Sequence, residues 1–358
     1  MTETMPSKVI CILGMHRSGT STITRTINLL GAYLGHEQDL IPAAPDNPEG
    51  FWERTDVVDL HDRILEKFKR TPDIITPLPL GWHRAANLRA LKQELRQLIE
   101  DNFGQRKFWA WKDPRTCVLL DLWKEVLTDL SMEVNCVFIV RNPLDVAKSL
   151  QKRNNIQFQK ALGFWLNHNI CALESSSNIP TVLLNYDDFV ERWEPEMRRI
   201  TRALNISWPV SDEKYKNEVE SFIRPSLRHN KSSIEQLKVL PAPIRDLYDL
   251  ILGQTGKLHP DASFYESIGK LAREFRTYSS FFDFDMDHLF DRGVYLSNFE
   301  SNRERTVPAL QVAEVKETDV SNTCESDCPK SQDLDPTETL NPSANKRTLL
   351  SLIFGKSR

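Results

Sequence analysis

Apolar and polar residues fall in blocks along the chain. K-V-I-C-I-L at 8 to 13 is a continuous apolar run, rich in β-branched residues, that ends at a glycine. That is the pattern of a strand buried on both faces of a parallel sheet. From Ser18 to Leu30, the residues Ile23, Ile27 and Leu30 recur at helical spacing and Gly31 supplies a stop, so a helix is predicted. D-N-P-E-G-F-W-E-R at 46 to 54 is turn-rich. Thr55 or Asp56 then caps a helix that runs through Val57, Leu60, Ile64 and Leu65 to about Phe68, and another helix covers about 85 to 101. K-F-W-A-W at 107 to 111 is a short aromatic strand broken by K-D-P-R, because Pro114 cannot donate to a ladder. V-N-C-V-F-I-V at 134 to 140 is the next strand. It leads through R-N-P into a helix from about Leu144 to Lys152, with Asn142 as cap and Pro143 in the first position. P-T-V-L-L-N at 180 to 185 is a further strand, between helices at about 158 to 176 and 187 to 204.

Strands that alternate with helices of this length predict an α/β fold, a P-loop-type parallel sheet with helices on both faces and right-handed crossovers. Ligands collect at the carboxyl ends of such strands. Beyond about 210 no strand is evident. The chain divides into an α/β domain at 1–235, a helical extension at 236–300 packed on or following it, a linker at 301–345 and a tail at 346–358. The linker is rich in Ser, Thr, Asn, Pro and Glu and reads as disordered. The tail, K-R-T-L-L-S-L-I-F-G-K-S-R, is short, basic and apolar, suited at most to a weak contact with a partner or membrane surface.

Charge narrows the ligand class. Forty-six basic and fifty acidic residues give a formal charge of −4 over 358 residues, so no global field recruits nucleic acid and an anion site has to be local. The longest apolar runs are strand-sized, well below the roughly 18 residues of a membrane span. The polar M-T-E-T-M-P-S-K before the first strand leaves no room for a signal peptide, so a cytoplasmic protein is expected. Six cysteines show no disulfide framework; Cys11, Cys117, Cys136 and Cys171 sit in apolar segments, and Cys324 and Cys328 have no histidines near them to complete a metal site.

The local anion site is G-M-H-R-S-G-T-S at 14 to 21, which follows a buried strand and opens a helix. It is the phosphate-loop pattern G-x-x-x-x-G-K-[S/T] with Thr20 where the lysine belongs. Backbone N–H groups between Gly14 and Gly19, with the positive end of the following helix, cradle any phosphate. Without the lysine, the reach toward β- and γ-phosphates is gone, and Arg17 with the Thr20 and Ser21 hydroxyls takes its place. Arg141 directly after one strand, Ser149 eight residues on, and Lys112 at the end of another strand complete a set suited to a ligand with phosphates at two ends.

G-M-H-R-S-G-T-S, K-D-P-R at 112 to 115 and V-F-I-V-R-N-P-L-D-V-A-K-S at 137 to 149 resemble, in order, the motifs of the PAPS-dependent sulfotransferase family, where PAPS is 3′-phosphoadenosine-5′-phosphosulfate. The likeness is to bacterial members with an H-R-S-G-T-S loop and covers about residues 8 to 235. It implies that Gly14, His16, Arg17, Ser18, Gly19, Thr20 and Ser21 hold the phosphosulfate, with Arg17 and Lys112 near the sulfuryl group. It further implies that Arg141 and Ser149 hold the 3′-phosphate, that F-I-R-P-S-L-R-H at 222 to 229 lies near the donor, and that no metal is needed. Sulfuryl transfer also needs a general base for the acceptor hydroxyl or amine. Glu53 resembles the family's G-[FYH]-x-E element and is favoured; Glu37, spaced from Arg17 like the base of tyrosylprotein sulfotransferases, and His61 are alternatives. The expected acceptor is a carbohydrate, a lipid or a small metabolite; no segment encodes a recognisable pocket for one of these, and Phe51, Trp52, Trp82 and His83 are candidates to line it. Two other functions compete, a P-loop kinase or nucleotide hydrolase and a noncatalytic nucleotide-binding scaffold. The first is disfavoured by the missing lysine and by the lack of a Walker-B acidic strand end.

Overall fold

The computed structural model of the chain describes residues 7–44, 47–210, 212–223 and 232–280. The expected linker and basic tail, residues 281–300, Cys324 and Cys328, and most of F-I-R-P-S-L-R-H lie outside the described residues.

Four strands form one parallel sheet: β1 (Lys8–Leu13), β2 (Phe108–Lys112), β3 (Glu133–Val140) and β4 (Thr181–Asn185), in the order β2-β1-β3-β4. The register pairs Ile12 with Lys112, Leu13 with Phe138 and Val140 with Asn185, so the carboxyl ends of all four strands form one rim. Because side chains alternate along a strand, each strand feeds two cores. Val9, Cys11, Trp109, Trp111, Cys136, Phe138 and Leu183 face one side, and Ile10, Ile12, Ala110, Val137, Ile139, Val182 and Leu184 face the other.

Twelve α-helices are described: α1 (Thr20–Leu29), α2 (Thr55–Glu66), α3 (Arg89–Phe103), α4 (Thr116–Asp129), α5 (Pro143–Asn154), α6 (Phe158–Ser175), α7 (Tyr186–Glu191), α8 (Trp193–Ala203), α9 (Asp212–Phe222), α10 (Ile234–Leu237), α11 (Ala242–Leu252) and α12 (Ala262–Ser280). Helices α2, α3, α4, α6, α11 and α12 cover the first face, while α1, α7, α8 and α9 cover the second. Helix α12 packs along α6 through Phe264, Ile268 and Ala272, which joins the helices after residue 236 to the first core.

Several expectations need correcting. Helix α4 is absent from the expected elements, although its polar residues Asp121, Lys124, Glu125, Thr128 and Asp129 recur at helical spacing opposite nine buried ones from Thr116 to Leu127. The expected helix from 187 to 204 is two helices divided at Arg192, whose φ is −138°, with Pro195 in the first turn of the second, where its missing N–H costs little. Helix α1 starts at Thr20 rather than Ser18, since the loop runs on to Gly19 in the left-handed region. Arg54, not Thr55 or Asp56, occupies the cap position of α2, and it makes no side-chain cap bond. Asn142 caps α5 as expected, its Oδ1 accepting from the Leu144 N–H at 2.9 Å.

Candidate active site

The loop between β1 and α1 keeps its shape because two glycines stand where no side chain fits. A Cβ on Gly14 would lie 2.6 Å from the Ile139 carbonyl oxygen, and one on Gly19, at φ 91°, would lie 2.1 Å from the Tyr186 ring. Arg17 itself is left-handed at φ 66°. Its carbonyl accepts from the Arg141 guanidinium at 3.1 Å, so the end of β3 braces the loop backbone. At the loop's start the Gly14 N–H donates to Cys117 Sγ at 3.3 Å. Ser18 is fully buried, and its Oγ has no hydrogen-bond partner among the described residues.

At the end of β2, Lys112 is 3% exposed and forms an ion pair with Glu53, which is 7% exposed. Lys112 Nζ also lies 3.4 Å from Ser21 Oγ, and that hydroxyl donates to the Phe51 carbonyl at 3.2 Å. Loop, lysine and carboxylate thus form one polar cluster. They line a cleft together with His16, Phe51, Arg141, Arg153 and Tyr186. Arg141 stacks over the Tyr186 ring at 4.6 Å, and its carbonyl accepts from Trp165 Nε1 at 3.2 Å. Arg17 Nε donates to Ser149 Oγ at 2.9 Å. The groups expected at opposite ends of a ligand are therefore hydrogen-bonded to each other.

A buried network lies beneath Lys112. Asp113 and His61 are both fully buried and joined by an Nδ1···Oδ2 bond of 2.6 Å. Trp123 Nε1, which can only donate, lies 2.7 Å from His61 Nε2, so that nitrogen accepts and the ring proton sits on Nδ1, facing Asp113. The second Asp113 oxygen accepts from the Arg115 backbone and guanidinium, both at 3.0 Å, and Arg115 continues to Asp62 at 2.5 Å. Burial alone would raise the Asp113 pKa, but Arg115 and His61 outweigh it and hold the carboxyl below the usual range. His61, with both nitrogens engaged and no exposed surface, has no lone pair for an acceptor. Glu37 is exposed on a short 3₁₀ turn and does not line the cleft. Of the aromatic candidates, Phe51 lines the cleft, whereas Trp52 sits under Arg25 at 4.6 Å and Trp82 packs edge-on against Phe68 with His83 beside it.

Tyr186 and Arg153 are cleft residues that the motif reading did not single out. A signal for Tyr186 was present: it follows the apolar run of β4 directly, as Arg141 follows that of β3. Arg153 also had one: it lies one helical turn beyond Ser149 on α5, just past the end of the motif at 137 to 149.

Two histidines meet the loop on its α6 side. The His16 ring lies 5.6 Å from Phe164 and 6.3 Å from His168. Burial lowers the pKa of both, that of His168 to about 3. The unfolded chain, with a histidine pKa near 6.5, binds more protons than the folded chain between those values, so stability rises with pH there. Acidification from pH 7 to pH 5 should cost about 2 kcal/mol through His168 alone. Melting temperatures measured at pH 7, 6 and 5 should fall, and the fall should be shallower in His168→Phe; parallel slopes would show that His168 is protonated without penalty.

Among curated proteins none matches the chain. Three solved structures are similar at low identity. The sulfotransferase domain from the curacin biosynthetic pathway is 18% identical, over 70% of this chain and 98% of that one, with a TM-score of 0.36. The sulfotransferase domain of the Synechococcus PCC 7002 olefin synthase is 17% identical, over 77% and 96%, also at 0.36. A sulfotransferase from Mycobacterium tuberculosis is 11% identical, over 70% and 77%, at 0.37. The sequence model of the sulfotransferase family matches residues 9–210, which is more than half of the 358 residues and includes the loop, Lys112, Arg141 and the whole sheet apart from Lys8. On the strength of that match, this chain belongs to the sulfotransferase family.

Proposed function

We propose that this chain transfers a sulfuryl group from PAPS to a hydroxyl or amine of a small-molecule or glycan acceptor, with Glu53 as base and no metal. The observation that carries the proposal is the pairing of Lys112 with Glu53 at the mouth of a phosphate loop that lacks its lysine. Transfer of one sulfuryl group asks for in-line positioning and charge stabilisation at a single centre, and a loop without reach to a γ-phosphate still provides these.

The residues fit such a donor. The Gly14–Gly19 backbone suits the 5′-phosphosulfate, and Arg141, stacked on Tyr186, suits a 3′-phosphate. Lys112 would neutralise charge on the sulfuryl oxygens and on the departing oxygen. Glu53 would take the acceptor proton as the new oxygen–sulfur bond forms, while the bond from sulfur to the bridging oxygen breaks and its electron pair leaves on adenosine 3′,5′-bisphosphate. A donor at the cradle gives Lys112 a second anion to bind, which loosens its hold on Glu53 and frees a carboxylate oxygen. Arg17 is held by Ser149; to reach the sulfuryl group it must leave that hydroxyl, which then becomes open to the 3′-phosphate.

Thermal shift tests the donor class. Adenosine 3′,5′-bisphosphate should raise the melting temperature by several degrees at 100 times its dissociation constant, about 2.7 kcal/mol of stabilisation, while ATP with Mg²⁺ has little effect. Stabilisation by ATP-Mg²⁺ alone would replace sulfuryl transfer with kinase or hydrolase chemistry.

A further inference from the structure

The reaction outlined above gives no role to His16, one of several polar side chains of the cleft wall. His16 lines the cleft with Glu53, Lys112 and Pro114. Its ring packs toward α6 rather than toward Arg141 and Tyr186, so it stands on the side of the loop away from the 3′-phosphate position. Among the described residues the His16 imidazole makes no hydrogen bond. Contact with Phe164 does not call for an imidazole, because a phenyl ring would fill that space without desolvating two nitrogens. Burial, reinforced by Arg115, lowers the ring's pKa, so the ring is neutral with one lone pair but is a weaker base than a free imidazole. Glu53, in contrast, already has its carboxylate on Lys112.

We propose that His16 is a second proton acceptor of the transfer, working in parallel with Glu53. This rests on the sulfotransferase reading of the cleft. As the acceptor oxygen bonds to sulfur, its proton passes to the lone pair of the His16 ring. The bond from sulfur to the bridging oxygen of the 5′-phosphate breaks, and the electron pair leaves with adenosine 3′,5′-bisphosphate. Because residue 16 belongs to the loop that cradles the donor, its ring is fixed relative to the sulfuryl group by the backbone that binds it.

Water is an acceptor that needs no identification, so the test is release of inorganic sulfate from radiolabelled PAPS by the full chain. His16→Phe should lower the release about tenfold at saturating PAPS, with the affinity for adenosine 3′,5′-bisphosphate measured alongside so that rates are compared at equal occupancy. Glu53→Gln should retain a residual rate that the double variant loses, and added imidazole should restore part of the rate of His16→Ala. Release from His16→Phe within about twofold of the unmutated chain overturns the proposal, as does a His16→Ala rate that imidazole leaves unchanged. An unmutated chain that binds the bisphosphate but releases no sulfate overturns it as well. A chain that does not bind the bisphosphate overturns the sulfotransferase reading instead.

Discussion

Glu53→Gln should lower turnover by roughly 10²- to 10⁴-fold while the affinity for adenosine 3′,5′-bisphosphate hardly moves. The amide keeps the shape of the side chain and an oxygen for Lys112 but removes both basicity and charge. The location of the pair makes the control essential. Lys112 has a side chain 1% exposed, and an ammonium left in that position without its carboxylate is destabilised by as much as about 3–5 kcal/mol. The remaining amide oxygen offsets part of this, so a lower melting temperature is expected, and rates have to be compared well below it. Three outcomes separate the roles. A large loss of turnover with donor affinity intact identifies the base. Equal losses of both make Glu53 the group that orients Lys112. Near-normal turnover moves the proton to another acceptor lining the cleft, His16 or Glu49, because Glu37 is outside the cleft and His61 has no open nitrogen.

Arg141→Ala should weaken adenosine 3′,5′-bisphosphate by about ten- to a hundredfold or more. Each charge-assisted bond to a phosphate contributes roughly 1.5 to 3 kcal/mol, and Ser149 adds a weaker neutral donor. Adenosine 5′-phosphosulfate, which has no 3′-phosphate, decides what the loss means. It should bind the unmutated chain poorly and lose little more in the variant. The structure gives a reason to expect a small common loss: the Arg141 guanidinium also donates to the Arg17 carbonyl and stacks on Tyr186, so its removal loosens the loop that both ligands share. If the two ligands weaken equally, Arg141 supports the loop and binds no phosphate, and the two-ended donor site loses its best support.

The architecture was legible in the sequence where local pattern and tertiary role agree. Continuous β-branched runs become strands of a sheet buried on both faces, and Asn142-Pro143 starts its helix because cap and first-turn chemistry act within a few residues. Legibility failed next to turns and breaks. Helix α4 starts directly after K-D-P-R, and its polar stripe of Asp121, Lys124, Glu125, Thr128 and Asp129 covers only its later turns, while the break at Arg192 depends on how α7 and α8 each pack on the sheet.

The site divides in the same way. The sequence by itself determined the loop, with its two glycines and missing lysine, and placed Lys112 and Arg141 at strand ends, because motif spacing and strand length are local properties. Only the tertiary structure decided which groups act on which. It set Lys112 against Glu53, 59 residues apart, and Arg17 against Ser149, 132 residues apart; it sealed His61 between Asp113 and Trp123, and left the His16 ring open to the cleft. The physical reason is that a charge's partner is set by distance in space, and parallel strands bring together residues that no local pattern relates.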